Sequence, residues 1–196
     1  LFGVVVKAVP NQSWDMAILS AAVSDDTILA SKAENPTFAS QNNAEGAEEI
    51  GVMTFNLRYD ISSHPLMALN VRGPHLMDII DKYDPDSVGF NEATNNWMKW
   101  LRSSMAVKGY AYVGVGRDNA ADNTSATGNG NEFSPIFYKA DKYDVLKSDT
   151  IWLSKTPEER SKGWGSSYNR ICTYAVLKNK ETGEIYAHFS THLDHQ

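Results

Sequence analysis

The sequence is poor in three features that would each have suggested a function. A single cysteine, Cys172, among 196 residues excludes an internal disulfide and a cysteine-rich zinc cluster. No apolar run reaches the ~18–20 residues of a membrane-spanning helix, so we predict no membrane span. Basic residues are outnumbered, with 18 Lys and Arg against 24 Asp and Glu. The resulting net charge of −6 argues against a protein that binds nucleic acid passively through a basic surface.

The chain does contain enough apolar material for a substantial core. Hydrophobic residues make up 42% of the sequence and aromatic residues 11%, and the length suits one domain or slightly more. Residues 34–49 are polar, include Pro36 and Gly46, and show no apolar period, which predicts a linker. We therefore predict an upstream extension or the tail of a preceding domain at 1–33, the linker at 34–49, and a main domain at 50–196.

Apolar periodicity within residues 50–196 predicts an α/β fold. Buried strands are predicted at residues 50–57 and 87–91, and helices at residues 75–83 and 94–106, with Thr94 as N-cap. Mostly strands follow, at residues 110–116, 132–139, 143–153, 170–178 and 184–191. This order predicts mixed, largely antiparallel sheets and not a purely parallel sheet.

Polar side chains stand at the ends of three predicted strands. Asn56 ends the first strand, Glu92 follows the second, and His192 follows the last. Strand ends are where α/β folds place ligands, and a carboxylate with an amide and an imidazole suits a hard metal ion and a phosphate. Each residue alone also has an ordinary explanation, since asparagine is frequent in turns and a lone glutamate or histidine is usually solvated.

Five ordered blocks of sequence together resemble the endonuclease/exonuclease/phosphatase family. They include Met-Thr-Phe-Asn-Leu-Arg and a later Ser-Thr-His-Leu-Asp-His, and the similarity covers about residues 50–196. The blocks occupy residues 53–58, 83–92, 132–138, 152–173 and 190–195. The resemblance implies a DNase I-like α/β sandwich, of which this chain would hold the amino-terminal part, truncated at its carboxyl end.

The resemblance also implies roles for individual residues. Glu92 resembles the carboxylate that holds a divalent cation, Mg²⁺ or Mn²⁺, and Asn56 the amide that helps to bind phosphate. Glu132 and His192 resemble a pair in which the carboxylate orients an imidazole at the scissile phosphate. Arg170 resembles an arginine close to that phosphate. These residue types suit the chemistry, because carboxylate oxygen binds Mg²⁺ and guanidinium donates to phosphate oxygens.

The sequence departs from the family pattern in two places. Asn91 stands where the family has glutamine before its metal-binding glutamate. The family's later Asp-x-Asn and Ser-Asp-His blocks, which include the general base, do not occur in the 196 residues. We therefore expect these residues alone to be inactive, and to be marginally stable, self-associating or dependent on the remaining half of the domain.

The predicted function is metal-dependent hydrolysis of phosphate esters by the complete protein, which we expect to be secreted. The resemblance leaves four substrate classes open: nucleic acid, phosphoinositide, sphingomyelin and small phosphate esters. The alternative is a non-catalytic binding or targeting module of a larger secreted protein. Trp152 and Trp164 are predicted to pack in the core more readily than to stack on a base or sugar. Asp194 and His195 fit either supporting contacts or solvated turn positions.

Overall fold

The computed structural model describes residues 49–123 and 125–194. The predicted extension at 1–33 and nearly all of the predicted linker lie outside the described residues, as does His195. Within the described part, the strands are β1 (Val52–Asn56), β2 (Ser87–Asn91), β3 (Tyr110–Val113), β4 (Ile136–Lys139), β5 (Tyr143–Trp152), β6 (Ile171–Asn179) and β7 (Ile185–Thr191). The helices are α1 (Leu69–Tyr83) and α2 (Asn95–Val107).

The strands form two sheets, and the predicted mixed α/β architecture is confirmed. One sheet has the order β1-β2-β4-β3, in which only β1 and β2 are parallel. The other sheet is antiparallel, in the order β5-β6-β7. The parallel pairing brings the ends of β1 and β2 together. Asn56 and Asn91 are register partners, and the chain leaves both strands at the same edge of the sheet.

The main core joins the first sheet to the two helices. Trp97 and Leu101 of α2 are buried, and Trp100 is partly buried. The fully or nearly buried members of this core are Met53, Leu57, Leu76, Ile80, Val88, Phe90, Ala93, Trp97, Met98, Leu101, Met105, Tyr110, Phe133 and Phe137. Their burial fixes β1 and β2 against the helices and so fixes the strand ends that carry Asn56 and Glu92.

Three predicted element boundaries are wrong by three residues or more. Strand β3 ends at Val113 and not at residue 116, and the next residue, Gly114, has a φ of +124°. Helix α1 begins at Leu69 and not at residue 75. Pro74 lies inside the helix and does not mark its start. Its first turn is held by the Arg72 guanidinium, which donates to the backbone oxygens of Arg58 and Tyr59 at 3.2 and 3.1 Å. Strand β4 begins at Ile136 and not at residue 132, because Pro135 has no N–H to donate to a strand ladder.

The two sheets meet through a buried polar cluster. Ser87 Oγ of β2 lies 2.8 Å from His188 Nδ1 of β7, and Tyr186 OH donates to Ser87 Oγ at 3.0 Å. Gly89 keeps the sheets close, since a Cβ there would lie 2.9 Å from Ser190 Oγ. Burial lowers the pKa of His188 to about 4, so the imidazole is neutral in the folded protein at neutral pH.

His188 makes folding stability sensitive to acid. The unfolded chain binds a proton at this residue below a pKa of about 6.5, whereas the folded chain resists protonation down to about 4. The unfolding free energy should therefore be fully retained above pH 6.5 and fall by about 3 kcal/mol as the pH drops to 4. Urea unfolding at several pH values should show this slope, and His188→Phe should remove it. Replacing the exposed His75 by Gln should leave the slope intact.

No helix in the described part of the chain is both long and apolar enough to cross a membrane.

Candidate active site

The ends of the two parallel strands bring Asn56 and Glu92 into contact. Asn56 Nδ2 donates a hydrogen bond of 3.0 Å to Glu92 Oε1. The backbone N–H of Tyr59 donates to the other carboxylate oxygen, Oε2, at 3.2 Å. Asn56 is itself held, because its Oδ1 accepts from the Arg58 N–H at 2.8 Å. The structure thus brings together the two residues that sequence analysis placed at neighbouring strand ends.

Glu92 has an unusual backbone conformation for its residue type. Its φ is +56°, in the left-handed region that costs a non-glycine residue about 1 kcal/mol or more. Neighbouring hydrogen bonds maintain it: the Thr94 N–H donates to the Glu92 carbonyl at 2.9 Å, and Ala93 forms an isolated bridge with Phe133. The chain turns sharply after β2, and the carboxylate stays beside Asn56.

The surroundings of Glu92 fit a divalent cation that takes most of its ligands from elsewhere. A carboxylate offers about four lone-pair positions, and the two N–H donors leave some of them available. No group of three or more His, Cys, Asp or Glu residues in the described part of the chain is arranged to hold a metal. Mg²⁺ commonly needs only one or two protein carboxylates and completes its shell with water and phosphate oxygens.

Glu132 lies between Arg117 and His192. Arg117 Nη1 donates to Glu132 Oε2 at 2.5 Å, and His192 Nδ1 lies 4.0 Å from the same oxygen. Burial raises the pKa of the Glu132 carboxyl, although the Arg117 guanidinium acts in the opposite direction. The charge of Glu92 also raises the Glu132 pKa, which ties the two carboxylates electrostatically. Glu132 and His192 are therefore close, but the shorter contact of Glu132 is with Arg117.

Arg170 is buried and held by a carboxylate at the end of the described chain. Its Nε and Nη2 atoms both donate to Asp194 Oδ1, at 3.0 and 2.7 Å. The ring of Tyr168 lies against both arginines of the site, with the Arg117 and Arg170 guanidinium carbons 4.8 and 5.5 Å from its centroid. Asp194 is thus a supporting contact, one of its two predicted possibilities.

One cavity of only about 10 Å³, roughly the space of one water molecule, lies among the two arginines, Glu132 and His192. Its lining residues are Arg117, Glu132, Ser134, Asn169, Arg170, Ile171 and His192. Three of the predicted site residues therefore share one cavity, and Asn56 and Glu92 form a separate cluster at the strand ends. A larger cavity of about 530 Å³ is lined by four lysines, Lys108, Lys139, Lys142 and Lys180, among acidic residues. It lies at the opposite edge of the first sheet, beside the start of β2, and contains none of the predicted site residues.

The sequence analysis did not identify Arg117, and its prediction of core packing is correct for Trp152 but wrong for Trp164. Arg117 follows β3 by a few residues, so the strand-end rule that selected Asn56 and Glu92 also applied to it. Trp152 is buried as predicted, and its Nε1 donates to the Arg117 carbonyl at 2.9 Å. Trp164, in contrast, is 77% exposed and does not pack in the core of the described residues.

Solved structures of similar fold identify the family. An endonuclease/exonuclease/phosphatase from Bacteroides vulgatus is 36% identical, with a TM-score of 0.63 over 72% of this chain and 51% of that chain. A mannosyl-6-phosphatase from Bacteroides thetaiotaomicron is 34% identical, with a TM-score of 0.61 over 74% of this chain and 51% of that chain. The chain belongs to the endonuclease/exonuclease/phosphatase family. The predicted family resemblance and DNase I-like fold are confirmed.

The endonuclease/exonuclease/phosphatase fold extends to more distant structures. The human Nocturnin catalytic domain, solved with bound sulfate, is 17% identical and has a TM-score of 0.57, which shows the fold alone. The chain spans about half the length of the similar Bacteroides structures. A scan against protein-family models and a search of curated proteins each found no match.

Proposed function

We propose that the full-length protein is a metal-dependent phosphoesterase that hydrolyses small phosphate esters. The observation that carries this proposal is the Glu92 carboxylate, oriented by Asn56 and the Tyr59 N–H, close to a cavity with two arginines and a histidine. Oxygen ligands and guanidinium groups are the protein groups best suited to a cation and a phosphate together.

Glu92 would hold the cation, Mg²⁺ or Mn²⁺, and its orientation would come from Asn56. Such a cation, when bound, supplies positive charge at a phosphate oxygen. Arg170 and His192 would donate to the phosphate oxygens, and the Asp194 carboxylate keeps the Arg170 fork fixed. Glu132 would orient His192 and would also anchor Arg117 on the same side of the cavity. We assign no general base to any described residue.

Two observations favour a small ester over an extended nucleic acid. Residues 51–196 carry a net charge of −1, and this overall charge does not favour counterion release along an extended duplex. The similar structure of 34% identity is named a mannosyl-6-phosphatase, whose name implies a sugar phosphate monoester as substrate. We therefore place a phosphate monoester first among the candidate substrates.

The test is hydrolysis of a panel of esters by the full-length protein, measured as inorganic phosphate released from the monoesters and as oligonucleotide fragments separated on a gel. The panel contains a hexose 6-phosphate, a nucleoside 5′-monophosphate and a single-stranded oligonucleotide, each with Mg²⁺ and with EDTA. We expect Mg²⁺-dependent release from monoesters and no cleavage of the oligonucleotide. Cleavage of the oligonucleotide alone would instead make the protein a nuclease. Binding without turnover of any ester would favour the non-catalytic module.

A further inference from the structure

Trp164 is presented to solvent by a tightly anchored loop between β5 and β6. Its side chain is 77% exposed and its φ is +50°. The flanking Gly163 is packed so closely that a Cβ there would lie 2.4 Å from the Leu153 carbonyl oxygen. Large aromatic side chains are usually largely buried, so an indole held in solvent by such a loop needs an explanation other than core packing.

Hydrogen bonds tie this loop to the candidate active site. Asp194 Oδ2 accepts from the Ser167 N–H at 3.0 Å, and Asp194 Oδ1 accepts from Arg170. The Leu153 N–H donates to the Arg170 carbonyl at 2.7 Å, and Lys162 Nζ donates to the Ser167 carbonyl at 3.2 Å. One carboxylate thus connects the loop that carries Trp164 to the arginine proposed to bind phosphate.

A cleft of about 280 Å³ lies beside Trp164. Its lining residues are Leu153, Gly163, Trp164, Gly165, Ser166, Arg170, Leu193 and Asp194. It shares Arg170 with the small cavity that contains Glu132 and His192. Leu193 is 65% exposed and directly follows His192, so a second apolar side chain lies next to the polar site. The cleft and the small cavity are therefore neighbours, and Arg170 lines both of them.

We infer that this cleft binds the ring carried by the phosphate ester, with a face of that ring stacked on Trp164. The inference rests on the proposed function, which puts the phosphate beside Arg170 and His192. A flat ring with an apolar face, whether a pyranose or a nucleobase, matches an exposed indole. Ser166 also lines the cleft, and its hydroxyl oxygen, which donates its proton to the Tyr168 carbonyl at 2.8 Å, can still accept from a ring hydroxyl. The cleft volume of about 280 Å³ is sufficient for a ring.

The test separates ring recognition from phosphate chemistry. KM and kcat of the full-length protein are measured for a hexose 6-phosphate, a nucleoside 5′-monophosphate and glycerol phosphate, which has no ring. Trp164→Ala should raise KM for the preferred ring-bearing ester about 10-fold, with kcat little changed, and should leave glycerol phosphate unaffected. Trp164→Phe should restore most of the lost affinity. The ester most affected identifies the ring as sugar or base.

Tyr83→Ala is the matched control, because Tyr83 is an aromatic residue 58% exposed at the end of α1, away from the cleft. Unchanged KM for every ester in Trp164→Ala would overturn the inference, even if hydrolysis itself is confirmed. An equal loss with and without a ring would also overturn it, because the loop would then act on the phosphate site alone.

A second readout keeps this test independent of the proposed function. Intrinsic tryptophan fluorescence is titrated with each ester in the presence of EDTA, and the titration is repeated with Trp164→Phe. Quenching that requires Trp164 and a ring supports the cleft even if no ester is hydrolysed. If hydrolysis occurs without ring-dependent quenching, the proposed function stands and the stacking subsite is rejected.

Discussion

Replacing Glu92 by Gln in the full-length protein should reduce Mg²⁺-dependent phosphate release by about 100-fold or more. The substitution keeps the size of the side chain and one oxygen, but it removes the negative charge that would hold the cation. The Asn56 Nδ2 donor would also face a neutral amide in place of a carboxylate. Initial rates measured across a range of Mg²⁺ concentrations should show a lower maximum, a higher Mg²⁺ requirement, or both.

Glu181→Gln is the matched control for this experiment. It makes the same chemical change at an exposed glutamate in the turn between β6 and β7, at the end of the second sheet opposite His192. Its activity and Mg²⁺ dependence should equal those of the unmodified protein. If Glu92→Gln hydrolyses the ester at the wild-type rate at ordinary Mg²⁺ levels, Glu92 is not a ligand of the proposed metal ion.

Glu132 and His192 should behave as one unit in a double-mutant cycle. Each single Ala variant should lose about 100-fold or more in kcat, and the double variant should lose no more than the worse single variant. The physical reason is the 4.0 Å separation of His192 Nδ1 and Glu132 Oε2, across which each side chain depends on the other for its position. Steady-state kinetics on the preferred ester give the three ratios.

Arg117→Ala is the comparison variant for this double-mutant cycle. Arg117→Ala removes the closer partner of Glu132 but leaves His192 in place. If Glu132 acts mainly by anchoring Arg117, Glu132→Ala and Arg117→Ala should match each other and both should multiply with His192→Ala. Fully multiplicative losses for Glu132 and His192 would contradict the paired role.

The positions of the two strand ends in the site could be predicted from the sequence, because they depend on local apolar patterns. Apolar runs predict β1 and β2, and parallel neighbours end at the same edge of a sheet. The amino-acid pattern alone places Asn56 and Glu92 at strand ends, and the parallel pairing of β1 with β2 then brings Asn56 Nδ2 to 3.0 Å from Glu92 Oε1. The family blocks added Glu132 and Arg170, which no periodicity singles out, and assigned a role to His192, which the strand pattern had already placed at a strand end.

The arginine–carboxylate partnerships could not be predicted in the same way. Arg117 and Glu132 are separated by a polar loop without a period, and Arg170 and Asp194 by a whole hairpin. Sequence spacing gives no measure of how such a loop closes, so the partner of each charge is set by tertiary packing. The exposure of Trp164 has the same origin, since its apolar character alone favoured the core.

The left-handed backbone of Glu92 puts folding stability and the proposed metal binding in conflict at one residue. Glycine at that position would relieve the strain of a positive φ, yet it would delete the carboxylate. Selection of variants for heat resistance alone would therefore favour loss of the very side chain on which the proposed chemistry depends. Engineering of this domain should hold Glu92 fixed and seek added stability elsewhere, for example in the buried interface of the two sheets.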